Sequence, residues 1–463
     1  GLQGIPRDVR DVRTVGDERD LRLGLWPTLV LALASWLAWR GVLDLSLYAW
    51  DSYPLIAAGR VRDFGEFVGT FREELMDGRF PGGHYYRPLV HLSFALDHAM
   101  WGLNAFGYHL TDLVLLALGG LATAMLALAL IGSPRRGLAL LAGLAFVAHP
   151  VHFEIVPLPP RRADELALVL TLFALTFAAR KRGSASVVAA LCALGAAASK
   201  ETGVLAPLLI AALAFAMSDA RSLGARVRAA LHASWFAFAL VIAFVVVRSA
   251  VLGGLGGGAR TSLHAAGANL ATVVQRYATL VVSPLPPSFI AGAGLALAIG
   301  AALVVALLLS LARARPSVGN GLALRPRAAA GFLVFWTATL VALTAFSGTY
   351  RAWYALPFVA PLAVLAALAL ATGRDARSIG RPLLYAAFAL LLVLQGLGGD
   401  TSRRWDEIRA NSSASAALLQ RFDRQLAEAQ PGVTLEIDAY PDDASATRHG
   451  AALKKSMLFS DYS

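Results

Sequence analysis

The chain alternates between long apolar runs and short basic segments, which leaves few folds open to it. A membrane-spanning helix needs about 20 mostly apolar residues, within a range of about 17–25. With 57% hydrophobic and 15% charged residues and a mean hydropathy of +0.60, the composition indicates a polytopic membrane protein. We therefore predict an all-α fold with about eleven transmembrane helices: 25–43, 106–131, 137–150, 163–180, 185–199, 203–217, 233–252, 288–311, 329–346, 356–372 and 382–398.

The basic residues predict the orientation of these helices. The formal net charge is +11, but the arginines form short clusters between apolar runs, which favours membrane orientation over nucleic-acid binding. If the eleven spans hold, the N-terminal segment and five basic loops lie on one side, and this side is cytoplasmic. The N-terminus is then inside and the C-terminus outside. The five loops contain residues 135–136, 180–182, 221–228, 313–327 and 374–381.

Three parts follow from this topology. Residues 1–24 form a cytoplasmic tail, residues 25–398 the transmembrane domain, and residues 399–463 an extracytoplasmic segment. The last segment reads as an amphipathic helix over about 402–428, which could dock on the outer loops, and a short strand at 433–440.

Two outer segments have helical period with a polar face, which is typical of helices lying in the membrane plane. They are 89–101, within the first outer loop 44–105, and 268–283. The alternative is that one of them spans the membrane, which would reverse the downstream loops and spoil the basic-inside pattern.

The first outer loop contains a long polar stretch from Trp50 to Pro88. A loop of about 40 residues usually has a function. Its first acid, Asp51, lies at the mouth of a membrane segment between Trp50 and Tyr53, which makes it a candidate for a functional site. The alternative is a solvated loop acid, as we expect for Asp44.

Several motifs then resemble the transmembrane and tetratricopeptide-repeat O-mannosyltransferases and their bacterial relatives in the C-type glycosyltransferase superfamily. The similarity covers roughly 25–400 and lacks the repeats. The motifs occur in the expected order on the outer side: YRPLVHLSFALDHAMWGLNAFGYHLTDLVLLAL (86–118), HPVHFE (149–154), RAD (162–164), SKE (199–201) and, more loosely, YRAWYALP (350–357).

This resemblance implies a concrete function. Such proteins transfer a mannose-like hexose from a polyprenyl-phosphate donor to an acceptor on the extracytoplasmic face, with inversion. For this chain the resemblance implies a multi-pass protein of a bacterial inner membrane, with its active site facing the periplasm. The resemblance places the catalytic acid of the first loop at Asp51. The family usually has two consecutive acids, whereas this chain has Ser52 in the second position.

The chemistry requires few further groups. A tuned carboxylate can accept the proton of the acceptor hydroxyl, and Asp51 is our candidate. Cations or donors must face the departing phosphate. The topology favours Arg351, Tyr354 and Lys200, with Arg87 and Arg276 behind them.

The remaining motif residues are candidates for sugar or acceptor binding, or for structural support: Tyr86, His149, His152, Glu154, Arg162, Asp164 and Glu201. A divalent metal on the two histidines and Glu154 is the alternative to histidines satisfied at a helix end. Because no Asp-x-Asp pair accompanies them, we predict neither metal nor cofactor. Asp164 could instead pair with Arg161 or Arg162, and Lys200 with Glu201.

Two other functional classes stay open. A transporter or flippase for a lipid-linked sugar usually shows internal symmetry, and we find no matching halves in the chain. A non-catalytic scaffold is the other class, which the loss of the second acid would permit. For a transferase, the acceptor could be protein, lipid or glycan.

Overall fold

A computed structural model describes residues 23–48, 51–78, 84–132, 135–180, 183–254, 267, 269–274, 325–347, 351–372 and 399–428. Several predictions lie outside these residues. They are the spans 288–311 and 382–398, the strand 433–440, most of the segment 268–283, and the side chains of Trp50 and Arg276.

The described residues include thirteen α-helices with defined bounds, and residues 269–274 are also helical. The thirteen helices are α1 (Leu25–Trp39), α2 (Ser52–Ala58), α3 (Phe64–Gly69), α4 (Pro88–Trp101), α5 (Ala105–Ile131), α6 (Arg136–Val147), α7 (Arg162–Ala178), α8 (Gly183–Ser199), α9 (Ala206–Ala216), α10 (Leu223–Val251), α11 (Pro326–Ser347), α12 (Leu356–Thr372) and α13 (Gly399–Glu428).

Six helical segments among the described residues are long and apolar enough to cross a membrane. They contain α1, α5, α6, α10, α11 and α12, and two shorter apolar segments contain α8 and α9. This pattern agrees with the prediction of a helical, multi-pass membrane protein.

Helix α5 lies at the centre of the bundle and contacts α1, α4, α6, α7 and α12. Small residues allow its close approach to α6. A Cβ on Gly120 would lie 2.6 Å from a methyl of Val147, and a Cβ on Gly143 would lie 2.6 Å from the Gly120 carbonyl oxygen. Membrane helices lack a hydrophobic driving force for association in lipid, so such close van der Waals packing holds them together.

Helix α10 begins ten residues before the predicted span at 233. Ser222 starts it, because its hydroxyl accepts a hydrogen bond from the Ala225 amide at 3.3 Å. The predicted basic loop 221–228 is therefore mostly the first turns of this helix, with Arg226 and Arg228 on it.

Helix α4 covers the predicted interfacial helix 89–101. Its exposed side carries Leu96 and Met100, which are 60% and 57% exposed, whereas Val90 and Phe94 are buried. Apolar side chains exposed in this way suit a helix whose outer face contacts lipid.

The motifs near the outer helix ends lie on short 3₁₀ turns. These turns span Pro150–Glu154, Pro159–Arg161, Glu201–Leu205 and Ala352–Ala355. The first contacts the last, and the second contacts α2, which begins just after Asp51. The fold thus brings sequence-distant motifs to one end of the bundle.

Candidate active site

Asp51 immediately precedes α2 and is partly buried. Among the described residues its carboxylate forms no capping hydrogen bond with the helix, so it is not used to start α2. Burial raises the pKa of Asp51, while the nearby guanidinium groups of Arg161 and Arg87 lower it, and burial dominates. The result is a carboxyl group that takes up a proton more readily than a solvated one.

Ser52, which stands where a second acid is expected, is completely buried. Its hydroxyl donates to the Tyr48 carbonyl oxygen at 3.0 Å, four residues back. This side chain is therefore part of the loop packing. An acid at this position would place an unpaired charge in the interior.

Glu201 joins two arginines at the end of the bundle that carries the motifs. Its carboxylate accepts a hydrogen bond from Arg87 at 2.7 Å and another from Arg248 at 3.1 Å. The turn carrying Glu201 lies directly on α8, because a Cβ on Gly203 would come within 2.1 Å of the Ala196 backbone. Glu201 thereby fixes the two guanidinium groups side by side.

Lys200 is buried and forms an ion pair with Asp164. Its ammonium group also lies 4.7 Å from the centre of the Tyr354 ring, within cation–π distance. These contacts bear on two of the alternatives left open by the sequence. Asp164 pairs with Lys200 instead of Arg162, and the carboxylate of Glu201 binds Arg87 and Arg248 instead of Lys200.

Trp353 lies between two arginines. The Arg161 guanidinium stacks 3.1 Å from the centre of its ring, and that of Arg351 lies 6.0 Å away. Trp353 is 6% exposed and packs edge-on against Tyr354. Trp353 therefore contacts two of the cations at this end of the bundle.

Arg162 is fully buried away from this cluster. It forms ion pairs of 2.6 Å with Asp97 on α4 and with Asp112 on α5, and donates to the Tyr108 carbonyl oxygen at 3.0 Å. Of the two roles left open for Arg162, these contacts favour structural support. Tyr86 is similar, because its hydroxyl donates to the Phe71 carbonyl oxygen at 2.8 Å and its ring stacks on Phe244.

The HPVHFE residues form a helix end. His149 accepts a hydrogen bond from the Val151 amide at 3.1 Å, and His152 contacts the Phe146 carbonyl oxygen at 2.8 Å. The His152 ring lies edge-on to Trp39 and Phe146. No three His, Cys, Asp or Glu side chains in the described part of the chain are grouped to hold a metal ion. Glu154 ends this turn. Burial raises the pKa of the Tyr48 hydroxyl, and the negative charge of Glu154 raises it further.

Sequence reasoning missed Arg248 entirely and treated Arg161 only as a partner of Asp164. A signal was present for Arg248, because it is a basic residue at the outer end of a predicted span, where the basic-inside pattern disfavours one. Ionisable residues within membrane segments usually line functional sites. Arg161 had no comparable signal, because the sequence gives no means of distinguishing its role from that of the adjacent Arg162.

The end of the bundle that carries the motifs thus combines two groups of side chains. Basic Arg87, Arg161, Lys200, Arg248 and Arg351 outnumber acidic Asp51, Asp164 and Glu201. Asp164 and Glu201 pair with cations, whereas Asp51 lies near enough to Arg161 and Arg87 for their charges to lower its pKa. Such a site can bind an anionic group and provide a carboxylate beside it.

Several known proteins are similar to this chain in sequence or fold. No family model matches the chain. It is 43% identical to protein O-mannosyl-transferase TMTC2 of Mus musculus over 91 residues, which cover 19% of this chain and 10% of that protein. It is 33% identical to protein O-mannosyl-transferase Tmtc1 of Drosophila melanogaster over 168 residues, which cover 34% of this chain and 19% of that protein. The matched region is thus under a fifth of either relative.

The fold is similar to that of ArnT from Cupriavidus metallidurans in its crystal structure bound to undecaprenyl phosphate. The TM-score is 0.51 at 16% sequence identity, and the alignment covers 86% of this chain and 70% of ArnT. Together with the partial sequence matches, this confirms the resemblance to the C-type glycosyltransferases: the chain has the fold of ArnT and is a partial homologue of the TMTC O-mannosyl-transferases.

Proposed function

We propose that this protein transfers a mannose-like hexose from a polyprenyl-phosphate carrier to an acceptor hydroxyl at the outer face of a bacterial inner membrane. The observation that carries the proposal is the position of Asp51, a partly buried carboxyl group whose charged neighbours are Arg87 and Arg161. The ArnT-like fold and the names of the partial relatives support the reaction class.

In the proposed reaction, the Asp51 carboxylate takes the proton of the acceptor hydroxyl. The acceptor oxygen forms a bond to the anomeric carbon as the bond from that carbon to the phosphate oxygen breaks. The bonding electrons stay on the phosphate, so the polyprenyl phosphate leaves with additional negative charge. A single displacement of this kind inverts the anomeric centre.

The cations face the group on which charge develops. Arg351, Lys200 and Tyr354 are the proposed phosphate contacts, with Arg87, which Glu201 holds by a hydrogen bond, behind them. Glu201 holds Arg87 and Arg248 in place before the donor binds. Fixed charges of this kind stabilise a transition state without reorganising during the reaction.

The test is to incubate the purified protein with a panel of polyprenyl-phosphate hexoses and candidate acceptors, and to measure donor consumption. Asp51→Asn should lower turnover by at least about 100-fold, within the range expected for loss of a general base. Its affinity for the polyprenyl phosphate should persist, because the cations are unchanged.

Asp44→Asn is the matched control, since Asp44 is an exposed acid seven residues earlier in the chain, and it should transfer sugar at the normal rate. Near-normal transfer by Asp51→Asn would show that Asp51 is not the base. Transport of the lipid-linked sugar without its consumption would favour a flippase instead.

A further inference from the structure

The helix α13, near the C-terminus, carries buried hydroxyl groups that the proposed reaction does not use. Trp405, Ile408, Ser412 and Ser415 follow one another at intervals of three, four and three residues, so they share one face of the helix. Ser412 and Ser415 are only 5% and 1% exposed. Because burial of a hydroxyl is unfavourable unless it forms a hydrogen bond, these two serines need partners.

Their partners lie in the segment just before Asp51. The Ser46 amide donates to the Ser412 hydroxyl at 2.8 Å, and the Ser415 hydroxyl donates to the Leu47 carbonyl oxygen at 3.1 Å. Residues 46–48 belong to neither a helix nor a strand, so their backbone groups lack the partners that regular structure supplies. The helix α13 supplies two of these partners.

The Leu47 carbonyl oxygen is held from a second direction. The Tyr53 hydroxyl donates to it at 3.0 Å, and Tyr53 lies on α2, two residues after Asp51. One acceptor atom therefore connects α13, the segment before Asp51 and the helix after it. In the sequence, Asp51 lies between Leu47 and Tyr53, the two residues that this hydrogen bond connects.

Trp405 anchors the same face of α13 to the bundle. Its ring lies 6.1 Å from that of Trp39 and 5.5 Å from that of Phe153, which belongs to the HPVHFE motif. It also lies over Gly41, where a Cβ would be 3.4 Å from the indole. The helix therefore has a fixed position relative to α1, and is not simply lying on the loop.

We propose that Ser412 and Ser415 are positioning residues for Asp51, and that α13 holds the segment around this carboxylate in the geometry that transfer requires. The expected effect on the rate rests on the proposed function, whereas the restraint of the segment by α13 is independent of it. A displacement of about 1 Å in a reacting group can reduce a rate by about 100-fold, so a segment outside regular structure benefits from an external support.

The test uses the full-length protein in lipid nanodiscs with both serines changed, Ser412→Ala and Ser415→Ala. Alanine is the better helix former, so α13 itself should stay helical. Amide hydrogen exchange in peptides covering 46–48 and 51–58 should become about tenfold faster, because two hydrogen bonds that restrain this segment are lost. Exchange in α5 and α7 should not change.

Ser413→Ala is the matched control, because Ser413 is an exposed serine on the opposite side of the same helix. It should leave exchange unchanged. Ser415→Thr, which retains a hydroxyl, should exchange as slowly as the wild type, whereas Ser415→Ala should exchange faster. Unchanged exchange around Asp51 in the double variant would overturn the proposal, whether or not the protein transfers sugar.

Kinetics provide the second measurement. If the protein is an active transferase, the double variant should show a kcat reduced by about tenfold or more. Its KM for the donor should stay within about twofold of the wild-type value, because neither serine contacts the proposed phosphate ligands Arg351, Lys200 and Tyr354. An unchanged kcat would refute the positioning role even if exchange increased. If the wild-type protein transfers no sugar, the proposed function is refuted. The exchange measurement would then still decide whether α13 restrains the segment around Asp51.

Discussion

At the scale of single residues, the feature that matters most is the environment of Asp51. A carboxyl group in water titrates near a pKa of about 3.9, whereas burial raises the pKa of Asp51 above this value. Arg161 and Arg87 oppose the shift without cancelling it. The site therefore contains a carboxylate that is more basic than a surface aspartate and is next to cations that can bind an anion.

The pH dependence of transfer should reveal this environment. The base acts only when ionised, so kcat should fall as the pH is lowered through the raised pKa of Asp51. Arg161→Gln removes a cation that lowers this pKa, so the acidic limb of the profile should move to higher pH. The exposed Arg62→Gln serves as the control, and an acidic limb that stays in place in Arg161→Gln would contradict the assignment.

The same shift has a consequence for stability. Because the folded-state pKa is raised, the stabilising contribution of Asp51 is complete below its unfolded-state pKa and is lost as the pH rises through the folded-state value. At neutral pH the ionised carboxylate opposes folding. Asp51→Asn should therefore unfold at the same temperature as the wild type or higher, even though it lacks activity.

At the scale of elements, Arg162 connects three helices. Its guanidinium on α7 pairs with Asp97 on α4 and Asp112 on α5, and all three side chains are buried. Asp97 also accepts a hydrogen bond from Thr111 at 2.6 Å. This cluster fixes helix α4, and Arg87 immediately precedes that helix.

Arg162→Met should destabilise the protein by about 3–5 kcal/mol, because it leaves two buried carboxylates without their cation. Thermal unfolding in detergent measures this change. Adding Asp97→Asn and Asp112→Asn should restore most of the loss, since the uncompensated charges are then gone. A stable Arg162→Met protein with weaker binding of the sugar or acceptor would instead show that Arg162 belongs to the binding site.

At the scale of the whole molecule, the helices deliver motifs from distant parts of the chain to one end of the bundle. The HPVHFE turn contacts the turn that contains Trp353, and the turn carrying Arg161 contacts α2. The basic loops predict that this end faces away from the cytoplasm.

Labelling of single cysteines tests that orientation. With Cys192 changed to serine, Arg409→Cys on the exposed face of α13 should react with a membrane-impermeant maleimide on intact spheroplasts, and Gly137→Cys should react only after lysis. Both positions are exposed, so reactivity depends on the side of the membrane. Reaction of Gly137→Cys before lysis would reverse the predicted topology.

The sequence alone was sufficient for the membrane class, the position of most described helices and the family resemblance. The length of apolar runs, the basic clusters and the short motifs are local properties of the sequence. They can therefore be recognised without knowledge of the tertiary structure. The same reasoning selected Asp51 as the candidate catalytic acid, because an acid at the mouth of a membrane segment is a candidate for a functional site.

Only the tertiary structure decided which charges pair. Lys200 binds Asp164, 36 residues away, and Arg162 binds Asp112, 50 residues away. Residues adjacent in the sequence suggested other pairs. Adjacency was a poor guide because the packing of the helices determines which side chains come together. The contact of α13 with Ser46 and Leu47 spans more than 360 residues, at separations of 366 and 368. Hydrogen bonds between such distant segments depend on the packing of the whole bundle, which no local pattern in the sequence records.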